Sequence, residues 1–147
     1  MTLTPQRRAE RSAQAMWKGD RASKWAGFAI EEIGPGRAVL SLRVEGHHCN
    51  GHGILHGGVI FTLADSAFAF ACNSYNEIVV AQHCEITFLA PGKDGDRLVA
   101  RASEVSRSGR SGVYDIAVAN EAGVTIALFR GLSRTVPGRH FDEEDGQ

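Results

Sequence analysis

HGGVIFTLADSAFAFACNSY, residues 56–75, is the stretch that decides the fold of this 147-residue chain. Apolar residues occupy nearly every position along it, so the helix that it predicts has almost no polar face. A helix that is apolar on all sides is buried inside a domain rather than laid on its surface. At the standard rise it is roughly 30 Å long, and we expect it to cross the whole domain.

The residues before this helix predict a short helix followed by a hairpin. Thr4 and Pro5 form a helix-start signal, so residues 5–18 are expected to be helical, with a second helical turn at 21–25. A Gly-Pro-Gly turn at 34–36 then separates two apolar segments. The second of them alternates apolar and polar residues, as a half-buried strand does.

The residues after the central helix predict four strands, at about 78–90, 96–107, 111–120 and 123–135. Together these segments predict an α+β fold, in which an antiparallel sheet of about six strands wraps around one long central helix. The fold is expected to form a single domain over residues 1–136. Residues 137–147 are rich in acidic side chains, and we expect them to form a disordered tail.

Composition limits the compartment and the partners. The net charge of −1 gives no overall field to attract nucleic acid or an anionic membrane, so neither is an expected partner. The three cysteines lack motif spacing, which disfavours a disulfide framework and favours the cytoplasm. We expect no signal peptide, because the start of the chain lacks an apolar segment, and no apolar run reaches membrane-spanning length. An arginine-rich start is typical of organelle transit peptides, but Glu10 and Asp20 argue against one.

Asp65 is an anomaly, because it is a carboxylate in the most apolar segment of the chain. An ionised carboxylate that is buried alone is strongly destabilising, and the residue lies too deep in the helix to be a partner of the N-terminal dipole. One interpretation is an aspartate satisfied by hydrogen bonds or exposed at a subunit seam. The other is a carboxylate held at a cleft for nucleophilic or general-base catalysis.

Gly57 and Gly58 open the same helix. The first N–H groups of a helix have no partner within it and carry the positive end of its dipole, and glycine lets a ligand approach the backbone closely. These residues can therefore stabilise a developing oxyanion. The alternative is that the two glycines only form a tight turn from loop to helix.

The spacing of Gly57 and Asp65 predicts a site built from two chains. Eight residues along one helix separate the two groups by about 12 Å. Both would have to contact neighbouring atoms of one carbonyl, which a single chain cannot arrange. If both act, each comes from a different subunit, so a homodimer with antiparallel central helices is the expected minimal active unit.

A dense cluster of histidines with one cysteine precedes and opens the helix: His47, His48, Cys49, His52 and His56. Glycines interrupt this run and its spacing lacks the pairs of zinc motifs, so no metal site is expected. His56 is expected to orient the loop or to line the site. Asn50 either holds the substrate carbonyl or the attacking water, or only forms an Asn-Gly turn with Gly51.

No serine or cysteine nucleophile motif, P-loop or dinucleotide fingerprint is present. A site that works with a carboxylate alone suits a substrate with a good leaving group. A thiol has a pKa of about 8.5, so a thiolate can leave without a general acid, whereas an amine cannot. The residues therefore favour a thioester substrate.

The run NGHGILHGGVIFTLADSAFAFACNS (residues 50–74) closely resembles the PaaI-type hotdog thioesterases, a family named for phenylacetic acid degradation. Three later segments resemble that family's strands: ITFLAPGKDGD (86–96), GVYDIAVAN (112–120) and ALFRGLSRT (127–135). The resemblance covers about residues 10–136. It implies a hotdog fold, dimers that pair into a homotetramer, and hydrolysis of phenylacetyl-CoA or hydroxyphenylacetyl-CoA to free acid and CoA.

The resemblance also implies roles for individual residues. The helix carboxylate of the family falls on Asp65, and its carbonyl-polarising N–H falls on Gly57, with His56 and Asn50 beside it. It leaves open whether the carboxylate attacks directly or activates water. No cofactor is implied beyond the coenzyme A of the substrate.

One departure concerns the strand after the helix. Some related thioesterases place a Ser or Thr near its start to help the carboxylate, and this chain has VAQH at 80–83 instead. Gln82 or His83 is therefore the expected substitute, and Gly58 is expected beside the substrate.

The CoA phosphates require basic groups. Arg107 and Arg110 flank a Ser-Gly turn and are the first candidates, because the forked guanidinium suits phosphate. Further candidates are Lys93, Arg101, Arg130 and Arg134. The alternative for each is ordinary solvated charge.

Two other functions remain open at this point. A hotdog hydratase or dehydratase acting on enoyl thioesters would use a histidine and an acid, for which His56 and Asp65 are available. A non-catalytic acyl-CoA-binding module is the second alternative.

Overall fold

The computed structural model describes residues 2–143 and contains three α-helices and six strands within that range. The helices are α1 (Pro5–Gly19), α2 (Arg21–Ala26) and α3 (Gly57–Cys72), and one 3₁₀ turn lies at Gly46–His48. The strands are β1 (Ala29–Gly34), β2 (Arg37–Arg43), β3 (Ile78–Phe88), β4 (Arg97–Ser108), β5 (Ser111–Asn120) and β6 (Thr125–Val136). No helix among residues 2–143 is long and apolar enough to cross a membrane.

All strand pairs are antiparallel, and the sheet order is β1-β2-β4-β5-β6-β3. The inner face of this sheet packs around α3, whose buried positions include Leu63, Ala67 and Phe68. Close approach is required here, because a Cβ at Gly131 of β6 would lie 2.7 Å from the Phe68 ring. The predicted α+β fold with one buried central helix is confirmed.

The central helix is shorter than predicted. It ends at Cys72, because the Asn73 side chain donates to the Ala69 carbonyl and turns the chain towards β3. Sixteen residues correspond to about 24 Å rather than 30 Å.

The two edges of the sheet differ. At the β1 edge, α1 packs alongside and the Gln6 amide donates to the Ile33 carbonyl. At the β3 edge, no strand within residues 2–143 pairs with the outer side. This 11-residue strand also carries exposed apolar side chains, among them Val80 and Phe88. The outer edge of β3 is therefore free to pair with another chain.

A bulge at Gln82 changes which residues of β3 face the helix. Ala81 pairs with Ser133 and His83 with Leu132, so Gln82 has no partner of its own. Before the bulge the odd-numbered Val79 packs against the core, and after it the even-numbered Cys84 and Ile86 do. The extra residue thus rotates the second half of the strand, as bulges do.

Residues 137–143, the start of the predicted disordered tail, make specific contacts with the rest of the chain. The backbone N–H groups of His140 and Phe141 donate to the Asn76 side chain, and the Glu143 carboxylate pairs with the Arg8 guanidinium of α1. These partners lie far away in the sequence, which is why local acidity suggested disorder. Residues 144–147 lie outside the described residues.

Candidate active site

The N-terminus of α3 leaves one backbone donor free. His56 is the N-cap, and its Nδ1 accepts a 2.8 Å hydrogen bond from the Gly58 N–H. The Gly57 N–H has no acceptor among residues 2–143. It is therefore the available donor at the positive end of the helix dipole. The predicted substrate contact of Gly58 cannot use its N–H, because His56 occupies it.

An apolar groove of about 370 Å³ runs beside Gly57. It is lined by Asn50, Ile54, Leu55, Gly57, Ile60, Phe88, Leu89, Ala90 and Pro91. The Phe88 ring lies so close that a Cβ at position 57 would stand 3.2 Å from it. A side chain at position 57 would thus press on the Phe88 ring, and the groove beside Gly57 can accept an apolar group.

Asn50 both forms a turn and lines the groove. Its Oδ1 accepts from the N–H groups of His52 at 2.9 Å and Ile54 at 3.4 Å, which closes the loop before α3. The Asn50 Nδ2 donates to no group among residues 2–143. Both interpretations of Asn50 are compatible with this arrangement, because only its oxygen is used by the turn.

Asp65 lies on α3 more than two turns beyond Gly57 and is partly buried. Burial raises the pKa of its carboxyl above the ordinary aspartate value. No N–H or O–H group among residues 2–143 donates to it, and its one polar contact is the Cys84 Sγ, 4.0 Å from Oδ1. Residues 2–143 therefore do not satisfy the Asp65 carboxylate by hydrogen bonds within its own chain.

The β3 residue that contacts Asp65 is Cys84, which sequence reasoning missed. Gln82 and His83, the expected substitutes, are exposed and make no contact with Asp65 in this chain. The bulge at Gln82 explains the difference, since it turns the even-numbered side chains of β3 towards the helix. The apolar Ile86, two residues after Cys84, was the sequence signal that could have identified this face.

The two candidate arginines lie at the β4–β5 turn, near the C-terminal end of α3. The Arg107 guanidinium stacks 3.7 Å above the Tyr75 ring and pairs with Glu77 at 3.2 Å. Arg110 is exposed and makes no ion pair within residues 2–143. Of the two, Arg110 is the one whose charge is uncommitted among the described residues.

The histidine cluster is largely structural. His48 is buried, with Nε2 2.7 Å from the Ala26 carbonyl and Nδ1 accepting from the Glu45 N–H. The His47 ring packs against it. Over the part of the chain that the structure describes, no three His, Cys, Asp or Glu side chains are grouped so that they could hold a metal ion.

Comparison with known proteins identifies the family. Residues 52–127, from the loop before α3 into β6, match the thioesterase superfamily. The acyl-coenzyme A thioesterase PaaI of Escherichia coli is 43% identical over 131 residues, which are 89% of this chain and 94% of that protein. The chain belongs to the thioesterase superfamily. Hydrolysis of a thioester is its reaction, and the predicted resemblance to the PaaI family is confirmed.

Solved structures support the same assignment for this thioesterase. The Escherichia coli PaaI protein from the phenylacetic acid degradation operon overlays with a TM-score of 0.91 at 41% identity, covering 92% of this chain and 99% of that one. The smu.793 protein of Streptococcus mutans, bound to acetyl CoA, overlays with a TM-score of 0.74 at 26% identity, covering 77% and 91%. The hotdog fold is confirmed, and this PaaI-type thioesterase acts on acyl-CoA.

Proposed function

We propose that this thioesterase hydrolyses aromatic acyl-CoA thioesters, of phenylacetyl or hydroxyphenylacetyl type, to the free acid and CoA. The observation that carries the proposal is the apolar groove lined by Gly57, whose N–H has no acceptor among residues 2–143, and by Phe88. An aromatic acyl group fits such a surface through ring-to-ring contact. The name of the Escherichia coli relative, PaaI of the phenylacetic acid degradation operon, agrees with this substrate class.

In the proposed mechanism the Gly57 N–H donates to the thioester carbonyl oxygen. Asp65 then attacks the carbonyl carbon, or removes a proton from a water that attacks it. The negative charge that develops on the oxygen is stabilised by the Gly57 N–H and the dipole of α3. The C–S bond breaks, and CoA leaves as a thiolate that takes up a proton. Where water is the nucleophile, this step gives the product acid directly. Where Asp65 is the nucleophile, it gives a mixed anhydride, which a water molecule then hydrolyses to release the acid and restore the carboxylate.

The mechanism requires two chains. Gly57 and Asp65 are eight residues apart on one unbroken helix, which separates them by about 12 Å along its axis. Antiparallel pairing of β3 with β3 of a second copy would place two α3 helices side by side in opposite directions. The open outer edge of β3 supports this pairing. We therefore propose a homodimer as the minimal active unit, within a homotetramer.

The remaining site residues have supporting roles in this proposal. His56 fixes the first turn of α3 through Gly58. Asn50 lines the groove, and its amide nitrogen, which has no acceptor among residues 2–143, is proposed to hold the substrate carbonyl or water. Gln82 and His83 lie on the open edge of β3, where they would meet the partner chain or the substrate. Arg110 is a better phosphate ligand than Arg107, whose guanidinium already has Tyr75 and Glu77 as partners.

We further propose that the enzyme acts in the cytoplasm and without metal or cofactor. The three cysteines are free, which agrees with a reducing compartment. The carboxylate and the backbone donor supply what a thioester with a good leaving group requires.

The test is thiol release from phenylacetyl-, hydroxyphenylacetyl-, acetyl- and long-chain acyl-CoA, measured for the wild type and for Asp65→Asn. We expect the aromatic substrates to give the highest kcat/KM, and the variant to lose about a thousandfold in kcat while remaining dimeric. Full activity of Asp65→Asn would exclude the carboxylate mechanism. A preference for straight-chain substrates would exclude the aromatic assignment. Loss of an enoyl-CoA double bond without thiol release would instead indicate a hydratase.

A further inference from the structure

The carboxylate of Asp65 has an unusually poor set of partners within its own chain. It is partly buried in the apolar core layer between α3 and the sheet, and no backbone or side-chain N–H or O–H donates to it among residues 2–143. The Cys84 thiol, 4.0 Å from Oδ1, is the one polar group that the chain brings to it. A weak donor beside an otherwise unsupported carboxylate has a larger effect than it would in water.

The position of Cys84 is determined by the fold rather than by local flexibility. Cys84 pairs with Gly131 of β6, and Gly131 lies against the Phe68 ring of α3 with no room for a side chain. The sheet therefore approaches α3 closely at this level, one turn beyond Asp65. The bulge at Gln82 then turns Cys84 rather than His83 towards the helix.

We propose that Cys84 is a positioning residue for Asp65, whose S–H donates to the carboxylate, holds its orientation and favours its ionised form. This inference rests on the proposed function of Asp65. In this role the thiol acts through Asp65 and takes part in no bond-making or bond-breaking step of its own.

The thiol is in the state that this role requires. Burial, and then the negative charge of Asp65, raise the pKa of the Cys84 thiol, so it keeps its proton where Asp65 is ionised. A thiol proton shared with the carboxylate opposes the effect of burial on Asp65, because hydrogen bonding to the charged form lowers a carboxyl pKa.

Cys72 provides a matched control. It is the other thiol whose titration responds to the charge of Asp65, so Cys72 and Cys84 are the titratable neighbours of this carboxylate among the described residues. The Cys72 thiol, however, is directed to the Ala69 carbonyl at 3.6 Å and not to Asp65. Removing it takes away a nearby sulfur without taking away a donor to the carboxylate.

The experiment is the pH dependence of kcat/KM for thiol release from phenylacetyl-CoA, measured for wild type, Cys84→Ala, Cys84→Ser and Cys72→Ala. Activity requires the ionised carboxylate, so it falls on the acid side with the apparent pKa of Asp65. Cys84→Ala should move this acid limb upward by about half a pH unit, which is about a threefold loss below the limb. Cys84→Ser keeps a donor and should place the limb at or below that of the wild type. Cys72→Ala should overlay the wild type.

The inference would be overturned if the acid limb of Cys84→Ala superimposed on that of the wild type. A fall in kcat at all pH values without a shift of the limb would not rescue it, because a packing defect alone gives that result. If circular dichroism shows that Cys84→Ala does not fold, the test rests on Cys84→Ser. An acid limb of Cys84→Ser that lies at higher pH than that of the wild type then excludes the hydrogen bond. The proposed function fails on a different result, namely an active Asp65→Asn variant. If Asp65→Asn is inactive and the pH profiles of the Cys84 variants match that of the wild type, only the role of Cys84 is excluded.

Discussion

At the C-terminal end of α3, every side chain from Asn73 to Asn76 has a hydrogen-bond partner within the chain, whereas at the N-terminal end the Gly57 N–H has none among residues 2–143. The Ser74 hydroxyl accepts from the Gly36 N–H, and the Tyr75 hydroxyl donates to Glu104. The same end also receives the C-terminal segment through Asn76.

We interpret this difference as a separation between residues that hold the fold and residues that we propose to act in catalysis. Buried polar groups are normally paired, so the satisfied end needs no ligand to explain it. A free donor at the positive end of a helix dipole, beside an apolar groove, is suited to an oxyanion. Variants at the N-terminal end should therefore change activity, and variants at the C-terminal end should change stability.

Among variants at the two ends of α3, Gly57→Pro should have the largest effect, because it removes the N–H and keeps a residue that the first helical position accepts. Proline is favoured at the first helical position, and His56 has the extended backbone that a residue before proline requires, with φ −63° and ψ 132°. Thiol release by this variant should fall by about 10²–10³-fold in kcat, the effect of losing one oxyanion donor.

Gly57→Ala is the control for this variant. It keeps the N–H but brings the same Cβ against the Phe88 ring, 3.2 Å away. The ratio of the two kcat values therefore corrects for the contact between the Cβ and Phe88, and the remaining difference reports the loss of the N–H and its replacement by the proline ring. Equal losses in both variants would show that the contact with Phe88, not the N–H, is what matters at position 57.

At the opposite end, Asn73→Ala should affect stability rather than catalysis. Its amide donates to the carbonyls of Ala69 and Val79 and accepts from the Val79 N–H, so the substitution leaves buried groups unpaired. We expect a loss of about 2–3 kcal/mol in the free energy of unfolding by urea titration. The kcat per folded molecule should stay within about twofold. A tenfold fall in kcat with normal stability would contradict the division between the two ends.

The smallest expected effect is on the stability of Asp65→Asn, a variant at a position between the two ends of α3. Burial raises the pKa of Asp65 in the folded state, so its contribution to stability is greatest below the unfolded pKa and is lost as the pH rises through the folded pKa. The neutral variant avoids this loss, and its Tm at pH 7 should exceed that of the wild type by about 2 °C. The difference in Tm should shrink on acidification below the ordinary aspartate pKa. A variant that melts lower than the wild type at pH 7 would show that the carboxylate is stabilising.

The sequence was most informative where one residue type conflicted with its surroundings. Asp65 in an apolar helix and Gly57 at its start could be selected from local pattern alone, and α3 and the four strands after it follow from periodicity and turn residues. The end of α3 could not be placed, because it depends on the Asn73 side chain reaching back to Ala69.

What the sequence could not provide are contacts that depend on register or on distant segments. Cys84 faces Asp65 only because one extra residue at Gln82 reverses the alternation of β3. Likewise, the Glu143 carboxylate pairs with Arg8 across almost the whole length of the chain, a contact that the acidic composition of the tail does not predict.

The uncovered edge of β3 has a consequence for how the enzyme must be made. A newly synthesised chain presents an 11-residue strand edge of backbone donors and acceptors, with Val80 and Phe88 exposed and with little charge to repel another protein chain. The proposed pairing with a second copy competes with pairing to other exposed strands, so slow synthesis should favour correct assembly and overproduction should favour inclusion bodies.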